Sequence, residues 1–271
     1  MKSLRKLINH GIRKTGWALK KIEVRKPQEK QVSKKSRVVQ NSPEPPKNPA
    51  PARPVRATMN GALEWLGGSG IPIKTVLDVG ASNGCWSSQC MRYIAATDYV
   101  LFEPQPVHEP ELDAFKSKSA KNVTLIKKAV GSTDGMTYFQ AEDPFGGALS
   151  SVAGQHMIQV PMTTIDRSVQ EHSLKGPFLL KLDTHGFEPS ILAGAVGALE
   201  QCSVLIIEAY NFQITGEAVL FWELCAMLAR KGFRCVDMVD LLHRKVDSTL
   251  WQMDIVFIRD NWDGFKNLAY A

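Results

Sequence analysis

Two carboxylates and a turn of small residues stand at the spacing of a nucleotide-binding βαβ unit. The run Thr75-Val76-Leu77-Asp78-Val79-Gly80-Ala81-Ser82-Asn83-Gly84 is an apolar strand that acquires an acid and passes directly into a tight turn. Downstream, Asp98 to Pro104 reads as a second buried strand ending in Glu103, 19 residues past Gly84. Glycines in such a turn let backbone approach a ligand, and an acid at that interval accepts hydrogen bonds from ribose hydroxyls. The pattern predicts a site for an adenosine-containing cofactor, with Asp78, Gly80, Ser82, Asn83, Gly84 and Glu103 as its candidate contacts.

The same residues discriminate between cofactors. A dinucleotide site wants Gly-x-Gly-x-x-Gly so that pyrophosphate can lie on a helix N-terminus. Here Ser82 and Cys85 occupy the second and third glycine positions. What remains is Asp78-x-Gly80-x-x-x-Gly84, with a carboxylate on the strand itself. That carboxylate would repel pyrophosphate and could meet a cationic or amino-bearing ligand. S-adenosylmethionine carries an amino group and a sulfonium and no phosphate, so the local chemistry favours it over NAD.

The elements that must position these residues follow from the hydrophobic pattern. Strands are expected at 74–79, 97–102, 123–127, 178–183, 203–208, 233–238 and 252–258, and helices at 84–95, 107–119, 188–200 and 216–231. Met59 to Leu66 reads as a short amphipathic helix opening the folded domain, which is expected to begin near residue 57 and run to the end. Short apolar runs alternating with amphipathic segments predict an α/β fold with a mostly parallel sheet covered on both faces. Met136–Ala141 and Met157–Met162 are expected to form a short antiparallel pair around a Gly/Ser-rich loop. Residues 239–251 lack a helical pattern, so the last two core strands should form a hairpin with one strand antiparallel.

With 271 residues, 44% of them hydrophobic, the chain has material for a full core. Its positive charge is concentrated at one end. Residues 1–56 hold 16 Lys/Arg against 3 Asp/Glu, and the remainder 17 against 24. The folded part is therefore mildly acidic, which gives no support to nucleic-acid binding by that domain. Five cysteines without a Cys-x-x-Cys pair suggest a reducing compartment and ordinary buried thiols. No apolar run approaches the ~18–20 residues that span a bilayer. Residues 1–24 read as a basic amphipathic helix, with Leu4, Leu7, Ile8, Ile12, Leu19 and Ile22 at helical spacing among Lys and Arg. Such a helix suits an anionic membrane surface. Residues 25–56, rich in Lys, Ser and Pro, read as a disordered linker. A solvated basic tail, only partly helical because Gly11 and Gly16 weaken it, and an organelle-targeting peptide are the alternatives. A cytoplasmic protein is the expected placement, peripheral on the inner face of the membrane if residues 3–24 bind it.

Several segments resemble, in order, the motifs of FkbM-type S-adenosylmethionine-dependent methyltransferases. They are Val76-Leu77-Asp78-Val79-Gly80-Ala81, Phe102-Glu103-Pro104, Ala129-Val130-Gly131, Thr164-Ile165-Asp166, Lys181-Leu182-Asp183-Thr184-His185-Gly186-Phe187-Glu188, Leu192-Ala193-Gly194-Ala195 and Ile206-Ile207-Glu208. The resemblance spans about residues 71–260. It implies the Rossmann-like class I methyltransferase sandwich, seven strands ordered 3-2-1-4-5-7-6 with the seventh antiparallel. It also implies O-methylation of hydroxyls on sugars, polyketides or similar metabolites. By match, Asp78, Gly80 and Gly84 would line the methionine moiety and Glu103 the ribose. Two positions depart from the family: Ser82, followed by Asn83, stands where many members carry Asn, and His185 stands where an acid is frequent.

Methyl transfer to oxygen is an in-line displacement that needs the acceptor oxygen held close and a base for its proton. Asp183, His185 and Glu188 cluster where the fourth strand would end, and are the candidate catalytic residues. Asp183 or His185 is the expected base, histidine having the more suitable ordinary pKa of ~6.5. Each has a structural alternative: Glu188 could complement a helix dipole and Asp183 could cap a turn. Glu208, at the end of the fifth strand, is a further candidate, and Asp166 reads as a turn residue. A divalent-metal cluster of Asp183, His185 and Glu188 is the weaker alternative, since two of the three fall in one short turn; no metal is expected. Residues 142–156, with Gly146-Gly147 and Ser150-Ser151, are expected to contribute acceptor loops. A nucleic-acid methyltransferase guided by its basic leader, and a catalytically silent cofactor-binding protein, are the competing functions.

Overall fold

The computed structural model describes residues 57–144, 146–150 and 153–270. The expected leader helix (1–24) and linker (25–56) lie outside the described residues.

A seven-stranded sheet forms the centre. Its strands are β1 (Thr75–Val79), β2 (Asp98–Phe102), β3 (Asn122–Ile126), β8 (Phe178–Leu182), β9 (Cys202–Tyr210), β10 (Phe233–His243) and β11 (Leu250–Arg259), where β4 to β7 belong to a second sheet. Their spatial order is β10-β11-β9-β8-β1-β2-β3, which in chain order is 3-2-1-4-5-7-6. β1, β2, β3, β8 and β9 pair in parallel, and β11 runs antiparallel to both neighbours. Each of the expected core strands is present, and the final hairpin and antiparallel strand are as expected.

Alternation along these strands feeds two cores, because successive side chains point to opposite faces. Leu77, Val79, Leu180, Leu182, Leu205 and Ile207 pack with helices α5 (Glu188–Ala193), α6 (Val196–Glu200) and α7 (Phe221–Ala229). Val76, Tyr99, Leu101, Leu179, Val204 and Ile206 pack on the other face with α1 (Met59–Gly68), α2 (Cys85–Cys90) and α3 (Glu109–Lys118). In α1 the buried Met59, Ala62, Leu63 and Leu66 form one helical stripe, and Thr58 caps its N-terminus by accepting a hydrogen bond from Gly61 N–H.

The smaller sheet has the order β4-β7-β5-β6, with β4 (Ala129–Val130), β5 (Gly135–Gln140), β6 (Leu149–Ser150) and β7 (Met157–Thr163). β5 and β7 pair antiparallel, as expected for Met136–Ala141 and Met157–Met162.

The helices are shorter than their periodicity suggests. The run 188–200 divides at Gly194, where a Cβ would lie 2.2 Å from the Gly131 carbonyl. Asp166, on α4 (Ile165–Glu171), caps the second half by accepting from Gly197 and Ala198 N–H at 2.9 and 2.7 Å. Asp166 was expected in a turn; it stands instead in the first turn of α4, where its role is structural. The run 216–231 begins only at Phe221, after Glu223 accepts a hydrogen bond from Leu220 N–H at 2.9 Å. All five cysteines are free; Cys90 and Cys202 are buried as expected, whereas Cys85 is exposed at the start of α2. Among the described residues, no helix is long and apolar enough to cross a membrane.

Candidate active site

The C-terminal edge of the main sheet carries the site. β1 passes into its turn at Gly80, with φ of +76°, and a Cβ there would sit 2.1 Å from the Asp183 carbonyl. Only glycine permits this approach, which brings the loops after β1 and β8 together. At the end of β2, the buried Glu103 accepts hydrogen bonds from Ser82 N–H at 2.8 Å and Gln105 N–H at 2.9 Å. Burial pushes its pKa up, against the pull of these two donors. Its carboxylate thus fixes the first loop and borders a cavity of about 150 Å³.

Gly80, Ser82, Glu103, Gln105, Asp183 and Thr184 are on the wall of that cavity, and Phe139 and Leu149 of the small sheet also line it. Gln105 is buried, and its Oε1 has no hydrogen-bond partner among the described residues. A buried acceptor left unsatisfied costs free energy until a donor reaches it. An adenosine group offers such a donor, and Glu103 offers acceptors for ribose hydroxyls, so the donor set fits the adenosyl part of S-adenosylmethionine. Pro144 closes over this region, its carbonyl receiving Gln105 Nε2 at 3.2 Å and lying 2.8 Å from His108 Nε2.

Three of the residues assigned to cofactor contact stand elsewhere. Asp78 is fully buried behind the cavity wall; it accepts a hydrogen bond from Ser87 Oγ at 2.7 Å and faces Lys181 Nζ at 3.3 Å. Gly84, with φ of +81°, presses on α3, where a Cβ would meet Phe115 at 3.3 Å and Leu112 at 3.4 Å. Its glycine serves helix packing. Asn83 accepts from Cys85 N–H at 3.2 Å, a local side-chain turn at the entry to α2. The turn demands small and polar residues for folding as well as for a ligand, and residue types alone did not separate the two uses.

Lys181, which opens the Lys181–Glu188 motif, had no expected role of its own. It lies buried between Asp78 and Asp183, 3.2 Å from the latter, and donates to the Gly80 carbonyl at 3.2 Å. Burial alone would favour its neutral form, but Asp183 and Asp78 outweigh this and hold its pKa above the ordinary lysine value. Burial likewise raises Asp183, yet Lys181 and then His185 overcome it and hold that carboxyl below the usual range. Asp183 is therefore ionised on the cavity wall and weakly basic.

Of the three candidate catalytic residues, Asp183 and His185 stay together and Glu188 parts from them. Glu188 turns inward: it is buried and accepts from Thr184 N–H at 3.3 Å, Thr184 Oγ1 at 2.9 Å and Gly186 N–H at 3.1 Å. It anchors the 184–187 turn and is not placed to touch a substrate, so the catalytic assignment is corrected. Burial pushes its pKa up. His185, held at φ of +54°, borders a second cavity of about 210 Å³ that shares Thr184 and Leu149 with the first. Ser150, Thr215 and Glu217 also border it, so part of the expected acceptor-loop region lines this space. His185 Nδ1 lies 2.8 Å from Tyr210 Oη and 3.1 Å from Glu208 Oε2. Glu208 also accepts from Tyr210 Oη and from Gln252 Nε2.

Ligand atoms of Asp183, His185 and Glu208 lie within 4.8 Å of one another, so Glu208 takes the place in this cluster that was expected of Glu188. Asp254 on β11 stands opposite Glu208 in the strand register. Burial, then Asp183 and Glu208, push its pKa up to about 7. An acid between apolar neighbours in Trp251-Gln252-Met253-Asp254-Ile255-Val256 was the available signal for this residue.

The Methyltransferase FkbM domain model matches residues 78–235. No curated protein matches the chain. Among solved structures, it is similar to magnesium protoporphyrin IX methyltransferase from Synechocystis PCC 6803 with bound SAM, at 11% identity and a TM-score of 0.43, covering 74% of this chain and 77% of that one. It is also similar to 1,6-didemethyltoxoflavin-N1-methyltransferase from Burkholderia thailandensis, at 14% identity and a TM-score of 0.41, covering 75% and 78%. A third is the N-methyltransferase NodS from Bradyrhizobium japonicum WM9, at 9% identity and a TM-score of 0.42, covering 74% and 93%. With its sheet order, its paired loops and a family match over more than half its length, the chain belongs to the FkbM methyltransferase family, and its cofactor is S-adenosylmethionine.

Proposed function

We propose that the chain methylates a hydroxyl oxygen on a saccharide or similar polar metabolite, with His185 as the proton acceptor. The observation that carries this reading is the junction of the two cavities at Thr184 and Leu149, with Glu103 on the wall of one and His185 on the wall of the other. Glu103, Gln105, Gly80 and Ser82 would hold the cofactor, which when bound supplies an electrophilic methyl group. The second cavity, bordered by Ser150, Thr184, Thr215 and Glu217, suits a ligand rich in hydroxyls. His185 is suited to take the hydroxyl proton because imidazole titrates near neutrality. Asp183, ionised beside Lys181, contributes negative charge that favours a protonated imidazole nearby.

The acidic surroundings of the second cavity argue against a polyanionic acceptor such as RNA. Incubating the full-length chain with methyl-labelled S-adenosylmethionine and separate pools of neutral saccharides, amines and RNA tests the reading. Label in alkali-stable ethers of the saccharide pool is expected. Label confined to RNA or to amines would overturn O-methylation. Residues 3–24 support a peripheral contact with anionic membrane, which would give access to lipid-linked glycans. Sedimentation of the full-length chain with anionic liposomes, lost at high salt, is the expected result; failure to sediment at low salt would dispose of the contact.

A further inference from the structure

The β10–β11 hairpin leaves the sheet at its catalytic edge and carries exposed apolar residues there. β11 is antiparallel to both neighbours, so β10 points the same way as β9, toward the edge that holds Glu208 and Tyr210. Gln252, whose side chain donates to Glu208, pairs across the hairpin with Leu242. Leu241 and Leu242 are 48% and 51% exposed, and Val246, in the connecting turn, is 76% exposed. Successive side chains of a regular strand face opposite sides, so one leucine of the pair should be covered. The register slips between Val239 and Leu242, where Asp240 has a φ of +50°, and both leucines stay open to solvent. Bulges re-aim side chains in this way, and an apolar cluster kept open beside an active site calls for an occupant.

The surrounding charges identify that occupant. The two acids of the hairpin end are engaged: Asp240 Oδ2 accepts from Met59 N–H at 3.1 Å, and Asp247 pairs with Arg244 at 3.4 Å. Lys245 is exposed in the turn. Arg244 lies over the Phe212 ring, 4.8 Å from its centroid, and Phe212 packs on the half-buried Trp251 at 5.1 Å. Aliphatic side chains bordered by tryptophan, arginine and lysine suit the boundary between headgroups and acyl chains. The hairpin also marks where the basic leader joins the domain, because Asp240 N–H donates to the Ala57 carbonyl at 3.1 Å. Residues 1–56 bring 16 Lys/Arg against 3 Asp/Glu to that attachment point. Positive charge tethered beside an apolar tip matches a partner that is anionic at its surface and apolar beneath it.

We infer that the β10–β11 hairpin is a docking surface for an anionic lipid bilayer, with Leu241, Leu242 and Val246 entering the interface. The inference rests on the membrane contact proposed for residues 3–24 and names the face of the catalytic domain that shares it. Docking through this hairpin turns the edge that carries both cavities toward the headgroups. An acceptor hydroxyl borne on a lipid is then favoured over one free in solution.

The experiment is hydrogen–deuterium exchange of the full-length chain at low salt, alone and with vesicles. The vesicles are phosphatidylcholine, or equimolar phosphatidylcholine and phosphatidylglycerol. Protection of residues 1–24 and of residues 240–251 is expected, with the mixed vesicles only. Protection confined to residues 1–24 would overturn the inference and leave the leader contact standing, whereas protection of neither segment would overturn both. Protection of residues 240–251 that grows with protein concentration in the absence of vesicles would assign the face to a second copy and overturn the inference. In Leu241→Ser/Leu242→Ser, affinity for the mixed vesicles should fall about tenfold, from the lost transfer of two half-exposed leucines. S-adenosylmethionine affinity of that variant, read by calorimetry, should be unchanged. Undiminished vesicle affinity in the folded variant would overturn the inference, and if the variant does not fold the wild-type exchange pattern still decides.

Discussion

Lys181 and Asp78 form an ion pair inside the sheet, Nζ to Oδ1 3.3 Å, on adjacent parallel strands and both buried. Water cannot compensate either charge if its partner is lost. Lys181→Met should therefore destabilise the fold by about 3–5 kcal/mol, the usual cost of stranding a buried charge. Asp78→Asn should act in the same direction, and the double variant should recover part of the loss. Urea denaturation of the three variants checks this; additive losses would show that the two residues are not coupled.

Gly80 and Gly84 should fail differently when given a side chain. At Gly80 the added Cβ would collide with the Asp183 carbonyl backbone at 2.1 Å, on the wall of the cofactor cavity. Gly80→Ala should remove S-adenosylmethionine binding in calorimetry. At Gly84 the new atom meets Phe115 and Leu112 side chains at 3.3–3.4 Å. Gly84→Ala should cost roughly 1–3 kcal/mol of stability from strain and overpacking while binding persists in the folded fraction.

Asp254 makes stability depend on pH. Its folded pKa, about 7, lies above the unfolded value near 3.8, so between these the native state binds more protons than the unfolded chain. Stability should consequently fall as pH rises from about 4 to 7, with a slope approaching about 1.4 kcal/mol per pH unit for one proton. Asp254→Asn should flatten that decline and raise stability at pH 8. Denaturation midpoints across pH 5–8 read this out, and a variant as pH-sensitive as wild type would contradict it.

Glu188→Ala should damage the fold. Three donors of the 184–187 turn converge on one carboxylate oxygen, and removing it leaves the buried Gly186 N–H unsatisfied, at about 1–3 kcal/mol, and strips the part-buried Thr184 N–H and hydroxyl of their acceptor. A lower melting temperature is the expected outcome; full stability with loss of methyl transfer would restore a catalytic role.

The contrast between Glu103 and Glu188 shows what residue patterns convey. Both are acids next to an element end. Glu103 was legible because a βαβ unit fixes where the second strand ends, and the strands themselves follow from apolar runs such as Phe178–Leu182. The antiparallel hairpin was legible from the missing helix between β10 and β11. Glu188 was not, because nothing in its spacing says whether the side chain turns toward the cavity or back into its own turn. Lys181 and Asp254 sit within apolar strands and attract notice only once parallel or antiparallel register sets them beside Asp78 and Glu208. The Glu208–Tyr210–His185 contact joins β9 to the loop after β8 and depends on a positive φ at His185 that no local pattern announces.

Calorimetric titration of the full-length chain with S-adenosylmethionine, S-adenosylhomocysteine and NAD, alongside Glu103→Ala, tests the central claim most directly. Binding of both sulfur ligands, none of NAD, and affinity in Glu103→Ala reduced at least about tenfold, as for a lost charge-assisted hydrogen bond of ~1.5–3 kcal/mol, is the predicted result. A folded chain that binds neither sulfur ligand, or binds NAD equally well, would contradict the account.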